Sequence, residues 1–144
     1  MQQELSRTEM LLGEEKLIKL DQARVVLLGL GGVGGSCFET LVRGGIGHVT
    51  VVDNDVFTLS NLNRQILSSY DSIGQYKVDM AKKRAEEINK YCTVKTYQEF
   101  ISEENLEEII PLNTSYVIDA IDTVTSKLQV ISYCRLHGIP IISS

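Results

Sequence analysis

The chain has 144 residues, 43% of them hydrophobic, with a formal net charge of −5 and a pI near 5.0; that leaves room for one domain with a real core and excludes intrinsic disorder. The acidic balance argues against binding nucleic acid through bulk charge alone, while leaving a local basic patch open. No apolar run approaches the length needed to cross a bilayer, and Met1–Lys16 is too polar for a signal peptide, so no membrane partner is expected.

In chain order, Glu4–Leu20 reads as one or two short amphipathic helices with Leu11, Leu12, Leu17, Ile18 and Leu20 as the apolar set. Arg24–Gly29 is a continuous apolar run, as expected of a strand buried on both faces of a parallel sheet. A glycine cluster follows, then a helix over Ser36–Arg43 ended by Gly44, Gly45 and Gly47. His48–Asp53 is a β-branched second strand, and Asn54–Gln75 a polar loop. Tyr76–Tyr91 carries Val78, Ala81, Ala85 and Ile88 at helical spacing. Thr93–Tyr97 is a strand, Glu103–Ile110 a short helix before Pro111, Tyr116–Ile121 a strand, Ser126–His137 a helix ended by Gly138, and Ile139–Ser143 a last strand. This alternation predicts an α/β fold: a doubly wound, mostly parallel, Rossmann-like sheet with helices on both faces. Such sheets hold ligands at the carboxyl ends of their strands.

The cysteines, Cys37, Cys92 and Cys134, are odd in number and lack CxxC spacing, so they read as reduced thiols packed like small apolar residues rather than a disulfide framework or zinc site. With no membrane segment, a soluble cytoplasmic protein is expected. His48 and His137 sit at element ends and read as structural.

Chemistry concentrates in two places. Gly29-Leu-Gly31-Gly32-Val-Gly34-Gly35 satisfies GxGxxG between a strand and a helix. Gly29 permits the tight turn, Gly31 or Gly32 lets backbone approach a phosphate, Gly34 lets helix pack on strand, and the helix start offers unpaired N–H groups to an anion. Asp53 closes the next strand at the spacing of a ribose-binding carboxylate. This much predicts a nucleotide and leaves NAD, FAD and ATP open.

The second place is Asp53-Asn-Asp55-Val-Phe-Thr-Leu-Ser-Asn61-Leu-Asn63-Arg64-Gln65. A dehydrogenase needs nothing like it after its ribose carboxylate, whereas a triphosphate needs cations and polar donors. Arg64 supplies a forked donor, Asn61 orients it or meets phosphate, and Lys77 adds a second cation near a helix start. Asp119 and Asp122 end a strand on the same sheet edge; Asp122 suits Mg²⁺, which takes carboxylates plus phosphate oxygens, and Asp119 suits either the site or a cap on the segment that follows. Asp122 as a helix N-cap, and Lys77 and Arg7 as ordinary surface residues, are the plainer readings.

Taken together, GxGGxG, D-x-D-x-V-x-x-S-N-L-x-R-Q, G-x-x-K and D-A-I-D resemble the ubiquitin-activating-enzyme-like adenylyltransferases over about Arg7–Ser144. The ending, Val117-Ile-Asp-Ala-Ile-Asp-Thr with Lys127 and Ile139-Pro-Ile-Ile-Ser-Ser144, is similar to the tRNA threonylcarbamoyladenosine dehydratase branch; sulfur-carrier activators usually have Thr-Asp-Asn and an arginine there. The resemblance implies ATP and Mg²⁺ as cofactors. Its nucleotide set is Gly29, Gly31, Gly32, Gly34, Asp53, Asp55, Asn61, Arg64, Gln65 and Lys77, with Asp122 on the metal. It implies catalytic roles for Arg64, Lys77, Asp122 and Arg7, the last reaching into a partner's site within a homodimer. It also implies that residues 1–144 are an ATP-binding domain truncated before the family's C-terminal half, which begins with a glycine-rich stretch.

The expected activity is ATP-dependent adenylation of a carboxylate, most closely the cyclising dehydration of threonylcarbamoyladenosine in tRNA. Three alternatives stand beside it: adenylation of the C-terminus of a ubiquitin-like sulfur-carrier protein, an NAD-dependent oxidoreductase, and a domain that binds ATP or dimerises without turnover.

Overall fold

The computed structural model describes Gln2–Ser144. Two short helices, α1 (Ser6–Leu12) and α2 (Glu14–Gln22), lead into β1 (Arg24–Leu28). They are separate because Gly13 takes φ +85°, a value that side-chain-bearing residues rarely adopt. Of the apolar residues predicted to pack here, Leu17 is buried, whereas Leu11, Leu12 and Ile18 are exposed.

The other elements are α3 (Gly32–Arg43), β2 (His48–Val52), α4 (Lys77–Ile88), β3 (Thr93–Tyr97), α5 (Leu106–Ile109), β4 (Tyr116–Asp119), α6 (Val124–Leu136) and β5 (Ile141–Ser143). The five strands form one parallel sheet in the order β3-β2-β1-β4-β5. Chain order reverses at β1, so the crevice for a ligand lies beyond its carboxyl end. The α/β, doubly wound prediction holds.

Strand β1 feeds two cores because successive side chains point to opposite faces. Val25 and Leu27 join Phe38 and Val42 of α3 and Val78, Ala81 and Ala85 of α4 on one face. Val26 and Leu28 join Ile109, Val130 and Cys134 on the other. Glu39 and Arg84 tie α3 to α4 at 2.7 Å, and the guanidinium holds the Glu39 carboxyl below its usual range. Cys134 lies in the second core and Cys92 is half-buried; burial pushes each thiol up to about 11, so both stay protonated near neutrality.

Several boundaries differ from expectation for local reasons. Helix α3 starts at Gly32 rather than Ser36, with Gly35 N–H donating to Gly31 O at 2.8 Å. The predicted Glu103–Ile110 helix keeps only one turn, since Asn105 accepts from Ser102 N–H at 2.8 Å and donates to Phe100 O at 2.6 Å. Strand β4 stops at Asp119, whose carboxylate takes the Ile121 N–H at 2.9 Å. The polar loop is ordered by 3₁₀ turns at Leu59–Asn61 and Tyr70–Ser72, and it buries Phe57.

Candidate functional site

At the carboxyl edge of the sheet a cavity of about 640 Å³ opens between the glycine loop, the end of β2 and the segment after β4. The glycines divide the work of building it. Gly29 sits at φ +94°, and a Cβ there would come within 2.5 Å of the Ala120 carbonyl. A Cβ on Gly34 would collide with the Gly29 carbonyl. These two let β1, α3 and the segment after β4 pack closely. A Cβ on Gly31 or Gly32 would meet nothing nearer than 3.8 Å; their bare backbone faces the cavity instead. Fold closure therefore does not demand glycine at 31 and 32, but backbone access for a ligand does.

Asp53 is fixed by its own backbone: one carboxylate oxygen accepts from Leu30 N–H and the other from Asp55 N–H, both at 2.8 Å. It thereby couples the glycine loop to the end of β2 and keeps acceptor capacity toward the cavity. Asn61 is buried, and its carbonyl oxygen takes the Thr58 N–H at 2.9 Å, so it shapes the loop turn. Arg64 is exposed and donates to Ser60 O at 3.0 Å and Asn63 Oδ1 at 3.1 Å. Neither acceptor is charged, so the guanidinium keeps its full positive charge for a ligand. Gln65 is buried on the cavity wall, and its Oε1 accepts no hydrogen bond. A buried acceptor of this kind calls for a donor from ligand or water.

Lys77 is the most telling side chain. It is only 6% exposed and lines the cavity, yet it makes no ion pair with any carboxylate among the described residues. Its ammonium lies 5.6 Å from the centre of the Phe57 ring. A surface lysine would not be so placed: the stem is buried while the unpaired ammonium opens on the cavity, which suits an anion arriving there.

The structure brings together Gly29, Gly31, Gly32, Asp53, Asp55, Asn61, Arg64, Gln65, Lys77 and Asp122 on one cavity. Two expected residues lie off it. Gly34 is buried, and its place in the fold is the contact with Gly29; Arg7 is exposed on α1, away from the cavity of its own chain. Asp119 does not face the cavity either: it is fully buried and pairs with Lys127 at 3.0 Å. Sequence reasoning missed Glu99, Phe100 and Ile101, which line the cavity beyond β3. Their position just after a strand end was the available signal. His48 and His137 stand apart from the cavity, His137 with its ring 4.5 Å from that of Tyr133.

The charges on the wall are Asp53, Asp55, Glu99 and Asp122 against Arg64 and Lys77. With four carboxylates and two cations, a polyphosphate needs a further cation to enter. No group of three or more potential metal-ligating side chains exists among the described residues. One carboxylate with few protein partners fits Mg²⁺, which keeps water and phosphate oxygens as its other ligands. Among the described residues no helix is long and apolar enough to cross a membrane.

Comparison with known proteins gives the family of the chain. The ThiF family model matches residues 5–144. The chain is 39% identical over 144 residues to the tRNA threonylcarbamoyladenosine dehydratase of Bacillus subtilis (strain 168), covering 100% of this chain and 57% of the relative. It is 35% identical over 125 residues to the molybdopterin-synthase adenylyltransferase of Haemophilus influenzae, covering 87% of this chain and 51% of the relative. The crystal structure of the Escherichia coli tRNA N6-threonylcarbamoyladenosine dehydratase in complex with ATP superposes with a TM-score of 0.95 at 37% identity, over 98% of this chain and 58% of that one. The chain spans about half the length of the curated relatives it matches.

Proposed function

The chain belongs to the ThiF family, and on that premise we propose that its cavity binds ATP with Mg²⁺ and adenylates a carboxylate, the threonyl carboxylate of threonylcarbamoyladenosine in tRNA. The observation that carries the reading is the Lys77 ammonium, unpaired and opening on the cavity from a largely buried side chain, on the same wall as the open backbone of Gly31 and Gly32. The ATP complex of the E. coli relative supports the choice of nucleotide.

In this reading Gly31 and Gly32 lie against the phosphates, and Asp53 accepts from the ribose hydroxyls. Arg64 and Lys77 neutralise charge that grows on the phosphates as the carboxylate oxygen attacks the α-phosphorus and pyrophosphate departs. Asp55 and Asn61 hold the loop that presents Arg64, and Gln65 takes a donor at its orphaned oxygen. Asp122 would hold Mg²⁺, which supplies charge neutralisation and alignment of the phosphates when bound. A ureido nitrogen then attacks the activated carbonyl, the ring closes and AMP leaves, a net loss of water. No protein nucleophile is required, in keeping with the protonated thiols of Cys92 and Cys134.

We further propose a cytoplasmic homodimer in which Arg7 completes the partner's site, and we assign ATP binding to residues 1–144. The likeness to a molybdopterin-synthase adenylyltransferase supports a second reading, in which the carboxylate is the C-terminus of a sulfur-carrier protein.

The test is calorimetric titration with ATP–Mg²⁺ and with NAD, beside Arg64→Ala, followed by incubation with ATP and threonylcarbamoyladenosine tRNA. Expected are ATP binding that Arg64→Ala weakens and a modified base that loses one water. NAD binding without ATP binding overturns the reading. ATP–pyrophosphate exchange driven by a diglycine-ended carrier but not by the tRNA replaces it with the second.

A further inference from the structure

We propose that Lys127 is a positioning residue, a clasp that holds the two rims of the cavity at a fixed separation and thereby places Asp122. What the rim holds rests on the adenylation reading; the clasp itself belongs to the ligand-free protein.

The argument begins at Asp119. Its carboxylate is fully buried at the end of β4, where a charge without partners would be very costly. One oxygen accepts from Ile121 N–H at 2.9 Å. The other accepts from Lys127 Nζ at 3.0 Å and from the Ser143 hydroxyl at 2.6 Å. To end the strand, an aspartate accepting the Ile121 N–H is enough. The lysine adds a link to another strand: its ammonium also donates to Ser144 O at 2.9 Å and lies 3.4 Å from Ser143 Oγ. Ser144 N–H returns to Asp119 O at 3.0 Å, which closes the loop of contacts.

Both tied segments border the cavity. Ile121, Asp122 and Thr123 line one stretch of its wall and Ser144 another, whereas Lys127 and Asp119 do not touch it. Lys127 therefore acts through its neighbours. On its other side the Ala120–Thr123 segment packs closely on Gly29, since the Ala120 carbonyl lies where a Cβ at position 29 would come within 2.5 Å of it. Confined by Gly29 on one side and by Lys127 on the other, Asp122 is held in place although its own side chain is exposed. This preorganisation suits a metal site that the protein supplies with so few carboxylates.

The test is amide hydrogen exchange on the ligand-free protein and ATP titration with and without Mg²⁺. The variants are Lys127→Met, Lys127→Arg and the charge-neutral pair Asp119→Asn/Lys127→Met, which avoids an unpaired buried carboxylate if the single variant folds poorly. In Lys127→Met and the neutral pair, the Ile121 and Ser144 amides are expected to exchange at least about tenfold faster while those of β1 and β2 are unchanged. The gain in ATP affinity that Mg²⁺ brings is expected to vanish, with Mg²⁺-free ATP binding preserved, and Lys127→Arg to recover both behaviours in part. Unchanged exchange at Ile121 and Ser144 with ATP binding intact overturns the clasp alone. Faster exchange across the whole sheet in both Met variants, with ATP binding lost equally with and without Mg²⁺, overturns it in favour of a merely structural pair. A wild-type chain that binds no ATP overturns the adenylation reading, and with it the role assigned to Asp122, even where exchange shows the clasp.

Discussion

Lys77→Met separates binding from stability. Methionine keeps the length and apolar stem of lysine and removes the charge. In the free protein Lys77 as a residue is only 6% exposed, and its ammonium has no carboxylate partner among the described residues and lies 5.6 Å from the centre of the Phe57 ring. A cation over an aromatic ring contributes roughly 0.5–2 kcal/mol. Methionine keeps the apolar packing of the stem and forfeits only that contact, so the stability of the variant should lie within about 1.5 kcal/mol of the wild type. Binding should fall further. A charge-assisted hydrogen bond from ammonium to phosphate contributes about 1.5–3 kcal/mol, and a bare Coulomb estimate at ~4 Å in an effective dielectric of ~20 gives an upper bound of about 4 kcal/mol. A loss of ~2–3 kcal/mol corresponds to roughly 30- to 150-fold weaker ATP. Calorimetric titration and a urea melt on the same preparations measure both quantities. ATP binding equal to that of the wild type would refute the assignment. So would a stability loss above ~2 kcal/mol, since that would make Lys77 a structural residue.

Three further substitutions test other parts of the account. Gly31→Ala should leave the urea midpoint unchanged and weaken ATP, because its Cβ enters the cavity; Gly34→Ala should lower stability by at least ~3 kcal/mol or prevent folding, since its Cβ strikes the Gly29 carbonyl. The reverse ranking of the two in melts would show that the glycine roles are misassigned. Glu39→Gln should cost about 0.5–1 kcal/mol at neutral pH, a small value because Arg84 is partly exposed. The folded-state pKa of Glu39 is depressed by Arg84, so its contribution is whole above the ordinary value of 4.5 and is lost as pH falls through the lowered value. Melts of wild type and variant should therefore converge in acid; a difference that does not shrink as pH falls below 4.5 would refute the ion-pair origin.

The fold was legible because its signals are local and repeated. Val25–Leu28 is apolar without alternation, and the structure buries every one of those side chains between two helical layers. Boundaries were less legible where a side chain outcompeted the ladder. Asp119 captures the Ile121 N–H and stops β4 two residues early, and Asn105 folds back on Phe100 and shortens the following helix. Helix α3 starts earlier than expected because Gly32, Gly34 and Gly35 themselves form part of its first turn. The exposed Leu11 and Ile18 show the limit of periodicity, since spacing gives a helix its apolar stripe but not a surface to bury it on.

For the site, residue types and order located most of the cavity wall, because a parallel sheet delivers every strand end to one edge. Sequence order alone could not distinguish residues that face the ligand from those that hold such residues in place. Asp119 and Asp122 are equivalent in the D-A-I-D pattern, yet one is sealed beneath the rim and the other stands on it. The alternation of strand residues fails to separate them because the segment has already left the strand. Their roles are decided by Lys127, eight residues on from Asp119, which reaches back from the first turns of α6 to neutralise the buried carboxylate. With Asp119 thus occupied, Asp122 is the carboxylate of the pair that we propose for the cation. The assignment of metal to Asp122 and of positioning to Lys127 is therefore a single argument, and perturbing the buried pair tests both.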